Sequence, residues 1–495
     1  MDTAKKKAGT GVEGLDDVLS GGFSEGNVFL IEGEPGTGKT TLALQFLMEG
    51  ARRGEPGLYI ALSETEEELR TSAASHGWTL PAPIQIVELT PQSLNDPEQE
   101  QSLLYASDLE LGEATKQIFD AYERVRPKRL ILDSLSEIRL LAQGNLRYRR
   151  QLLAIKHFFS KRNATVLMLD DLTADVGDKT VHSIAHGVIQ LAELAPDYGA
   201  ERRRLRVVKY RGQKYRGGYH DFVIATGGVQ VFPRLVAGES RSQQTRRQIP
   251  TDLPAFNALL GGGIESGSST LFLGPAGTGK SLIAITFAVA AMKRGERAAL
   301  FAFDEELGLL FDRMIGMGID LAAFQRDGKL MIEQIDAAEL SPGEFAHRVR
   351  RTVDNEGIQT VIIDSLNGYQ AAMPQESSLI LHIHELLQYL NRRGAATFMT
   401  VAQHGITGDM RAPVDVTYLA DTVILLRYFE AMGTVRRAIS IIKKRTGAHE
   451  STIREFHIGS HGLSIGEPLS EFQGVLRGVP TYVGANGPLI GDEGT

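Results

Sequence analysis

The chain has 495 residues, 42% of them apolar and 23% charged, which is the composition of a soluble globular protein with two or three domains rather than one core. Its formal net charge of −8 argues against a protein that coats nucleic acid, and the absence of cysteine excludes disulfides, thiolate catalysis and cysteine-based zinc sites. No apolar stretch approaches the ~18–20 residues that cross a bilayer, and Met1 to Lys7 opens without the apolar run of a secretory signal, so a cytoplasmic location is expected and no membrane partner.

The first expected element is a short buried strand at Val28–Ile31, apolar with β-branched and aromatic residues. It leads into Gly33-Glu34-Pro35-Gly36-Thr37-Gly38-Lys39-Thr40, a full match to G-x-x-x-x-G-K-[ST]. A helical pattern begins at Thr41 and runs to Met48. The glycines of such a loop let consecutive backbone N–H groups turn inward around phosphate oxygens. The lysine reaches the β- and γ-phosphates, and the Ser/Thr hydroxyl sits on Mg²⁺. The helix start adds unpaired N–H groups and the positive end of its dipole. Next, the strand Leu58–Ser63 ends at an acid, Glu64. The apolar strand Leu130–Asp133 then ends in Asp-Ser, and Asp133 has the place of the Walker B carboxylate that orders the Mg²⁺ shell. A fourth strand, Thr165–Leu169, is followed by Asp170 and Asp171. Lys209 and Arg211 come late, after an apolar run.

Between Pro233 and Pro250 the sequence turns polar and loses periodicity, as a linker does. The same features then recur in the same order. The strand Thr270–Leu273 enters Gly274-Pro275-Ala276-Gly277-Thr278-Gly279-Lys280-Ser281, and a helix follows from Leu282 to Val289. Leu300–Asp304 ends in the acidic pair Asp304-Glu305. Val361–Asp364 is the second Asp-Ser strand, Ala396–Val401 the fourth strand, and Lys443 with Arg445 the late cations. The two P-loop lysines are 241 residues apart, and so are Glu64 and Glu305.

A repeat of this length means two homologous α/β domains. Alternating strands and helices predict a mainly parallel, doubly wound sheet in each, flanked by helices, with nucleotide at the C-terminal ends of the strands. The expected division is a first domain over 1–236, a linker over 237–250, a second domain over 251–465 and a Gly- and Pro-rich tail over 466–495. Two ATP molecules with Mg²⁺ are expected. Hydrolysis further needs a group that orients or deprotonates water. Glu64 and Glu305 are the candidates, against the alternative that they only cap helices. The second half adds Asp304 where the first has Ser63, so a carboxylate pair is available there for a second role.

The paired starts Thr10–Gly22 and Thr251–Gly263, both GxxGTGK[TS] loops, Thr422–Tyr428 and Ile453–Phe456 resemble the KaiC-like family of duplicated RecA-like P-loop ATPases. The resemblance runs from about Gly9 to Gly484. It implies two tandem RecA-like domains, two-tiered homo-hexamers, and ATP at the interfaces between neighbouring subunits. It also implies that the neighbour supplies Lys209 and Arg211 in one tier and Lys443 and Arg445 in the other. Members phosphorylate an adjacent Ser and Thr before a strand like Asp421–Leu426. Here that pair aligns with Thr417 and Tyr418, so Thr417 is the one hydroxyl acceptor of the Ser/Thr kind, and Tyr418 is expected as a packed aromatic. Asp304 is shorter than the Glu of the family. Partners by this likeness are clock or signalling proteins, with a role in timekeeping.

Two other function classes compete. A DNA-acting motor would need a basic, aromatic loop, and His404–Pro413 carries one Arg and no aromatic. A scaffold would bind ATP mainly to assemble. His182 and His186 lack a third metal ligand, and His382 and His384, two apart in a helical run, lie on different faces and cannot share a metal. Gln403 is read as the counterpart of Asp170 and Asp171, and Trp78 as a packing residue.

Overall fold

The computed structural model of the protein describes residues 6–89, 103–172, 180–195, 199–236, 246–372, 376–403, 416–459, 462–477 and 480–484, without the side chains of 103–110 and 371–378. The linker stretch 237–245, the loop His404–Pro413 and the end of the tail from 485 lie outside the described residues. The chain divides into two units, Met1–Arg234 and Leu235–Thr495.

The large sheet of the first unit has nine strands: β1 (Val28–Gly33), β2 (Gly57–Ala61), β3 (Ile84–Glu88), β4 (Arg129–Asp133), β5 (Thr165–Asp171), β6 (Gly187–Leu194), β7 (Arg202–Tyr210), β8 (Tyr219–Ala225) and β9 (Gly228–Phe232). Their spatial order is β3-β2-β4-β5-β1-β6-β7-β8-β9. The first six run parallel and the last three are added antiparallel.

The second unit repeats this topology with β10 (Ser269–Gly274), β11 (Ala298–Ala302), β12 (Leu330–Gln334), β13 (Thr360–Asp364), β14 (Ala396–Ala402), β15 (Thr422–Ala431), β16 (Thr434–Lys444), β17 (Arg454–Gly459) and β18 (Gly462–Pro468). The order is β12-β11-β13-β14-β10-β15-β16-β17-β18, again with six parallel strands and three antiparallel ones. The two tandem, mainly parallel doubly wound sheets are those expected from the repeat.

The central parallel strands are buried on both faces, which is why they read as continuous apolar runs. On β1, Phe29 and Ile31 face a layer with Leu42 and Phe46 of the helix Lys39–Arg52. Val28 and Leu30 face the opposite layer with Tyr148, Leu152, Ile155 and Phe159 of the helix Asn145–Ser160. The alternation follows from the period-two pleat. In the second unit the helix Lys280–Lys293 is apolar on every side, with Leu282, Ile283, Phe287 and Met292 buried. Each such side chain contributes roughly 1.5–3 kcal/mol on burial, so each helix start is pinned rigidly over the end of its strand.

Two boundaries differ from the sequence reading. Gln248 and Ile249, assigned to the linker, pair with Glu265 and Ile264 and so belong to the second unit. The tail expected from Gly466 is partly built into the fold: β18 runs on to Pro468, and Val475 is buried against Phe429, Ala431 and Ala438. An apolar Val-Leu pair at 475–476 supplies that anchor despite the glycines around it.

Candidate nucleotide sites

Each P-loop leaves the C-terminal end of the central strand, β1 or β10, and enters the helix that starts at its lysine. The last loop glycines have φ of 91° at Gly38 and 102° at Gly279, a left-handed conformation that only glycine adopts without strain. An added Cβ at Gly38 would stand 2.5 Å from Ile224 Cδ1, and one at Gly279 would stand 2.7 Å from Ile458 Cδ1.

Both lysines fold back over their own loops. Lys39 Nζ donates to Gly33 O at 2.9 Å and Glu34 O at 3.0 Å, and Lys280 Nζ donates to Gly274 O at 2.9 Å and Pro275 O at 2.7 Å. Thr37 and Thr278 close the loops by donating to Glu34 O and Pro275 O at 2.7 and 2.8 Å. The side chain of Thr41 lies 3.3 Å from His76 Nε2, and Leu282 is turned into the core and the cavity wall.

The lysines differ in what else they meet. Lys39 forms a 2.7 Å ion pair with Asp171 at the end of β5. Register explains it, since Gly33 pairs with Asp171 and Glu32 with Asp170. In the second unit Gly274 pairs with Ala402. Asp171 therefore corresponds to Ala402, and Gln403 to Leu172, each donating its backbone N–H to the first loop glycine. The sequence reading of Gln403 was one position out, because a strand end cannot be aligned by eye without its partner strand. Burial pushes the Lys280 ammonium down to about 8, partly offset by Asp364.

Asp133 and Asp364 end β4 and β13 beside β2 and β11. Their orienting partners differ. The Tyr59 hydroxyl on β2 donates to Asp133 Oδ2, while the Thr400 hydroxyl on β14 donates to Asp364 Oδ1. Tyr59 also bonds the Thr40 hydroxyl, so one phenol ties together the two groups expected around Mg²⁺. A carboxylate and a hydroxyl held so close are the oxygen donors a hard cation takes. Asp133 is raised above the ordinary carboxylate range by burial, a shift that the Tyr59 hydrogen bond opposes and Asp171 reinforces.

Glu64 and Glu305 follow β2 and β11, and helix capping falls to their neighbours. Thr65 forms a capping box with Glu68, and Glu306 accepts from Leu309 N–H at 2.9 Å. Both glutamates are raised, chiefly by burial. Asp133, Glu68 and Asp171 add to the rise at Glu64, and Asp364 adds to it at Glu305. Glu305 is also paired with Arg313 at 2.8 Å, which opposes its rise. Asp304 accepts from the Ser365 hydroxyl.

A cavity of about 250 Å³ opens beside Gly279, Lys280 and Ser281 and is walled by Arg313, Met317 and Arg437. Sequence reasoning missed Tyr59, Arg313 and Arg437, because none belongs to a spaced motif.

The late cations lie elsewhere. Lys209 Nζ donates to His182 O and to Ala185 O, the latter at 2.8 Å, and Arg211 donates to Ser183 O at 2.6 Å. Lys443 donates to Thr417 O at 3.0 Å and Ala420 O at 2.7 Å, and Arg445 to Tyr418 O at 2.7 Å. Thr417 therefore stands beside Lys443 and Arg445. Tyr418 is 51% exposed, not a packed aromatic, because its turn lies outside the core. Trp78 packs against the first core, and His182 pairs with Glu32 at 2.7 Å. Among the described residues no group of three His, Asp or Glu is arranged to hold a metal, and no helix is long and apolar enough to cross a membrane.

Compared with known proteins, the chain matches the family described as ATPase: KaiC over residues 8–236 and again over 249–470. The chain belongs to the KaiC family. It is similar to the circadian clock protein KaiC3 of Synechocystis sp., with 26% identity over 96% of this chain and 95% of that protein. Its similarity to the circadian clock oscillator protein KaiC of Parathermosynechococcus lividus is 28% over 96% and 88%. With KaiC of Parasynechococcus marenigrum it is 27% over 97% and 94%. Membership of the KaiC family makes the chain an ATP-binding ATPase at the level of the family, and the two sheets are its tandem RecA-like domains.

Proposed function

We propose that this chain hydrolyses ATP at both P-loops as a two-tiered homo-hexamer, and that its second unit transfers phosphoryl groups to its own Thr417. The observation that carries this reading is where the late cations sit. Arg211 N–H donates to His186 O, whose own N–H donates to Val28 O at the start of β1. Arg445 N–H donates to Asp421 O, whose own N–H donates to Ser269 O at the start of β10. Both arginines are thus level with the first residue of the P-loop strand, about five residues or ~17 Å from its glycine end. Neither can serve its own nucleotide, so a site that uses them takes them from another copy. The number six comes from the family resemblance.

Within a site, Glu64 or Glu305 takes the proton of the attacking water. Water oxygen then bonds the γ-phosphorus, and the bond to the β–γ bridging oxygen breaks. A carboxylate raised by burial is the better base near neutral pH. Lys39 and Lys280 offset charge on the phosphates, and the neighbour's Lys and Arg meet the γ-phosphoryl. Thr40 with Asp133, and Ser281 with Asp364, would hold Mg²⁺, which supplies further charge neutralisation when bound. Thr417 accompanies Lys443 towards the neighbour's nucleotide, which favours its hydroxyl as acceptor. By likeness to relatives named as clock proteins, partners would be clock or signalling proteins that read the nucleotide state.

The test mixes two full-length variants, Lys280→Ala and Lys443→Ala/Arg445→Ala, in a Glu64→Gln background. Each alone lacks second-unit turnover, and mixing restores a fraction of it where an intact loop meets an intact cation pair. No recovery after verified subunit exchange would sink the reading. Phosphosite mapping after incubation with Mg·ATP tests Thr417, and an unmodified 405–422 segment removes the kinase part. The Lys39–Asp171 pair favours a second reading for the first unit alone, in which ATP there serves assembly more than turnover.

A further inference from the structure

At the opposite end of the second sheet from its P-loop lies a cavity of about 450 Å³, inside the range that small ligands occupy. Its walls come from the N-terminal ends of three parallel strands. Ser266 precedes β10, Asn391 and Arg392 precede β14, and Asp421 precedes β15; Arg445 follows β16, and Arg246 closes one side. The length of β10, roughly 20 Å at strand rise, separates it from Lys280 of the same chain.

The charges do not balance. Arg246, Arg392 and Arg445 bring three positive charges, and among the described residues Asp421 is the only carboxylate on the wall. Asp421 is already committed. Its Oδ2 accepts from Ser269 N–H and the Ser269 hydroxyl, both at 3.0 Å, and from Asn391 Nδ2 at 3.3 Å, while its Oδ1 lies 3.4 Å from Arg445. Arg392 Nη1 is buried without a hydrogen-bond partner. Among the described residues neither Arg246 nor Arg392 has a carboxylate at ion-pair distance. A buried guanidinium N–H with nothing to donate to is costly.

We propose that this cavity binds a phosphate dianion, free or as the monoester of a small phosphorylated molecule. The net charge of +2 matches the −1.5 to −2 that a phosphate monoester carries at neutral pH. Guanidinium forks match its oxygens in pairs, which selects it over chloride. Asp421 fixes Arg445 and the cavity floor before anything binds. The site goes beyond the nucleotide reading, and only Arg445 is shared with it.

The experiment uses the full chain with Lys39→Ala and Lys280→Ala, so that neither P-loop takes phosphate. Thermal unfolding is followed while inorganic phosphate replaces chloride at constant ionic strength, and then with a sugar phosphate. The expected result is a saturable rise in Tm with phosphate. Arg392→Gln should weaken the apparent affinity at least tenfold and, by removing an unpaired charge, should raise Tm in chloride. Arg246→Gln should weaken phosphate binding less, because Arg246 is exposed at the rim. A response to inorganic phosphate but not to the sugar phosphate would assign the free anion as the ligand. Equal responses to chloride and phosphate would overturn the site. So would a response that survives Arg392→Gln, or one lost with Lys443→Gln while Arg392→Gln leaves it intact, which would place the phosphate on the interface cations.

Discussion

Lys39 Nζ lies 2.7 Å from Asp171 Oδ1, whereas Lys280 has no carboxylate at ion-pair distance among the described residues. On the proposed reading, Asp171 competes with ATP phosphate for the Lys39 ammonium and leaves a negative charge beside the bound nucleotide. Asp171→Ala copies the second unit, where Ala402 stands at that register. It should tighten ATP binding at the first site several-fold, or about 1 kcal/mol for a pair that is only part-buried. Titration with a fluorescent ATP analogue in a Lys280→Ala background measures this. Weaker binding would instead make Asp171 part of the Mg·ATP shell.

The two Walker aspartates are aimed by unlike hydroxyls, Tyr59 in one site and Thr400 in the other. Partners that orient a metal-side carboxylate are typically worth 10–100-fold. Tyr59→Phe should therefore lower first-unit turnover by about tenfold and spare the second unit. Thr400→Val should do the reverse. Steady-state ATPase in backgrounds with one site silenced separates the two effects, and identical losses in both sites would count against them.

Arg313 holds Glu305 at 2.8 Å and forms part of the cavity wall beside Lys280. At the corresponding position the first unit has Ser72, so the Arg313 restraint on Glu305 has no counterpart there. Glu64→Gln and Glu305→Gln should each abolish turnover in their own unit, by at least ~100-fold if the lost group is the base. Arg313→Ser frees Glu305 and removes a phosphate-side cation. It should raise KM for ATP while the acid limb of the pH–rate profile moves upward. Rapid-quench and steady-state assays read the two effects separately.

His220 is buried with one tautomer imposed on it. Its Nε2 donates to Arg216 O at 2.9 Å and its Nδ1 accepts from Arg234 N–H at 2.9 Å. A second proton has no acceptor to meet, and burial pushes the ring down to about 4. The folded pKa is below the unfolded value of 6.5, so the contribution of the neutral ring is whole above pH ~6.5. It is lost progressively as pH falls from there towards 4, by about 3 kcal/mol in all. The urea midpoint of the first unit should drop across that window. In His220→Gln the slope should flatten, whatever the variant's absolute stability.

Local spacing made the loops legible. A strand, a glycine-rich turn and a helix start are contiguous, so the phosphate cradle is written within a dozen residues. The positions of Asp133, Asp364, Glu64 and Glu305 were legible for a related reason: each ends or follows a strand whose apolar run marks it. The duplication let each half check the other. Tyr59, Thr400 and Arg313 were hidden, because a strand Tyr, a strand Thr and a helix Arg read as ordinary residues until the neighbouring strand is known. Gln403 was misplaced for the same reason.

By itself the sequence determined two homologous P-loop units and their mainly parallel sheets, and it marked the residues proposed to touch phosphate, since all of these depend on short-range pattern and burial. The sequence already sets Ser63 against Asp304; only the tertiary structure decided that the two P-loop lysines meet different partners. The order β4-β5-β1 sets Asp171 against Lys39 across a parallel pair, and the same order puts Ala402 there in the second unit. It also set Arg211 and Arg445 a strand's length from their own loops, because an antiparallel return along β7 and β16 carries the chain to the opposite end of the sheet.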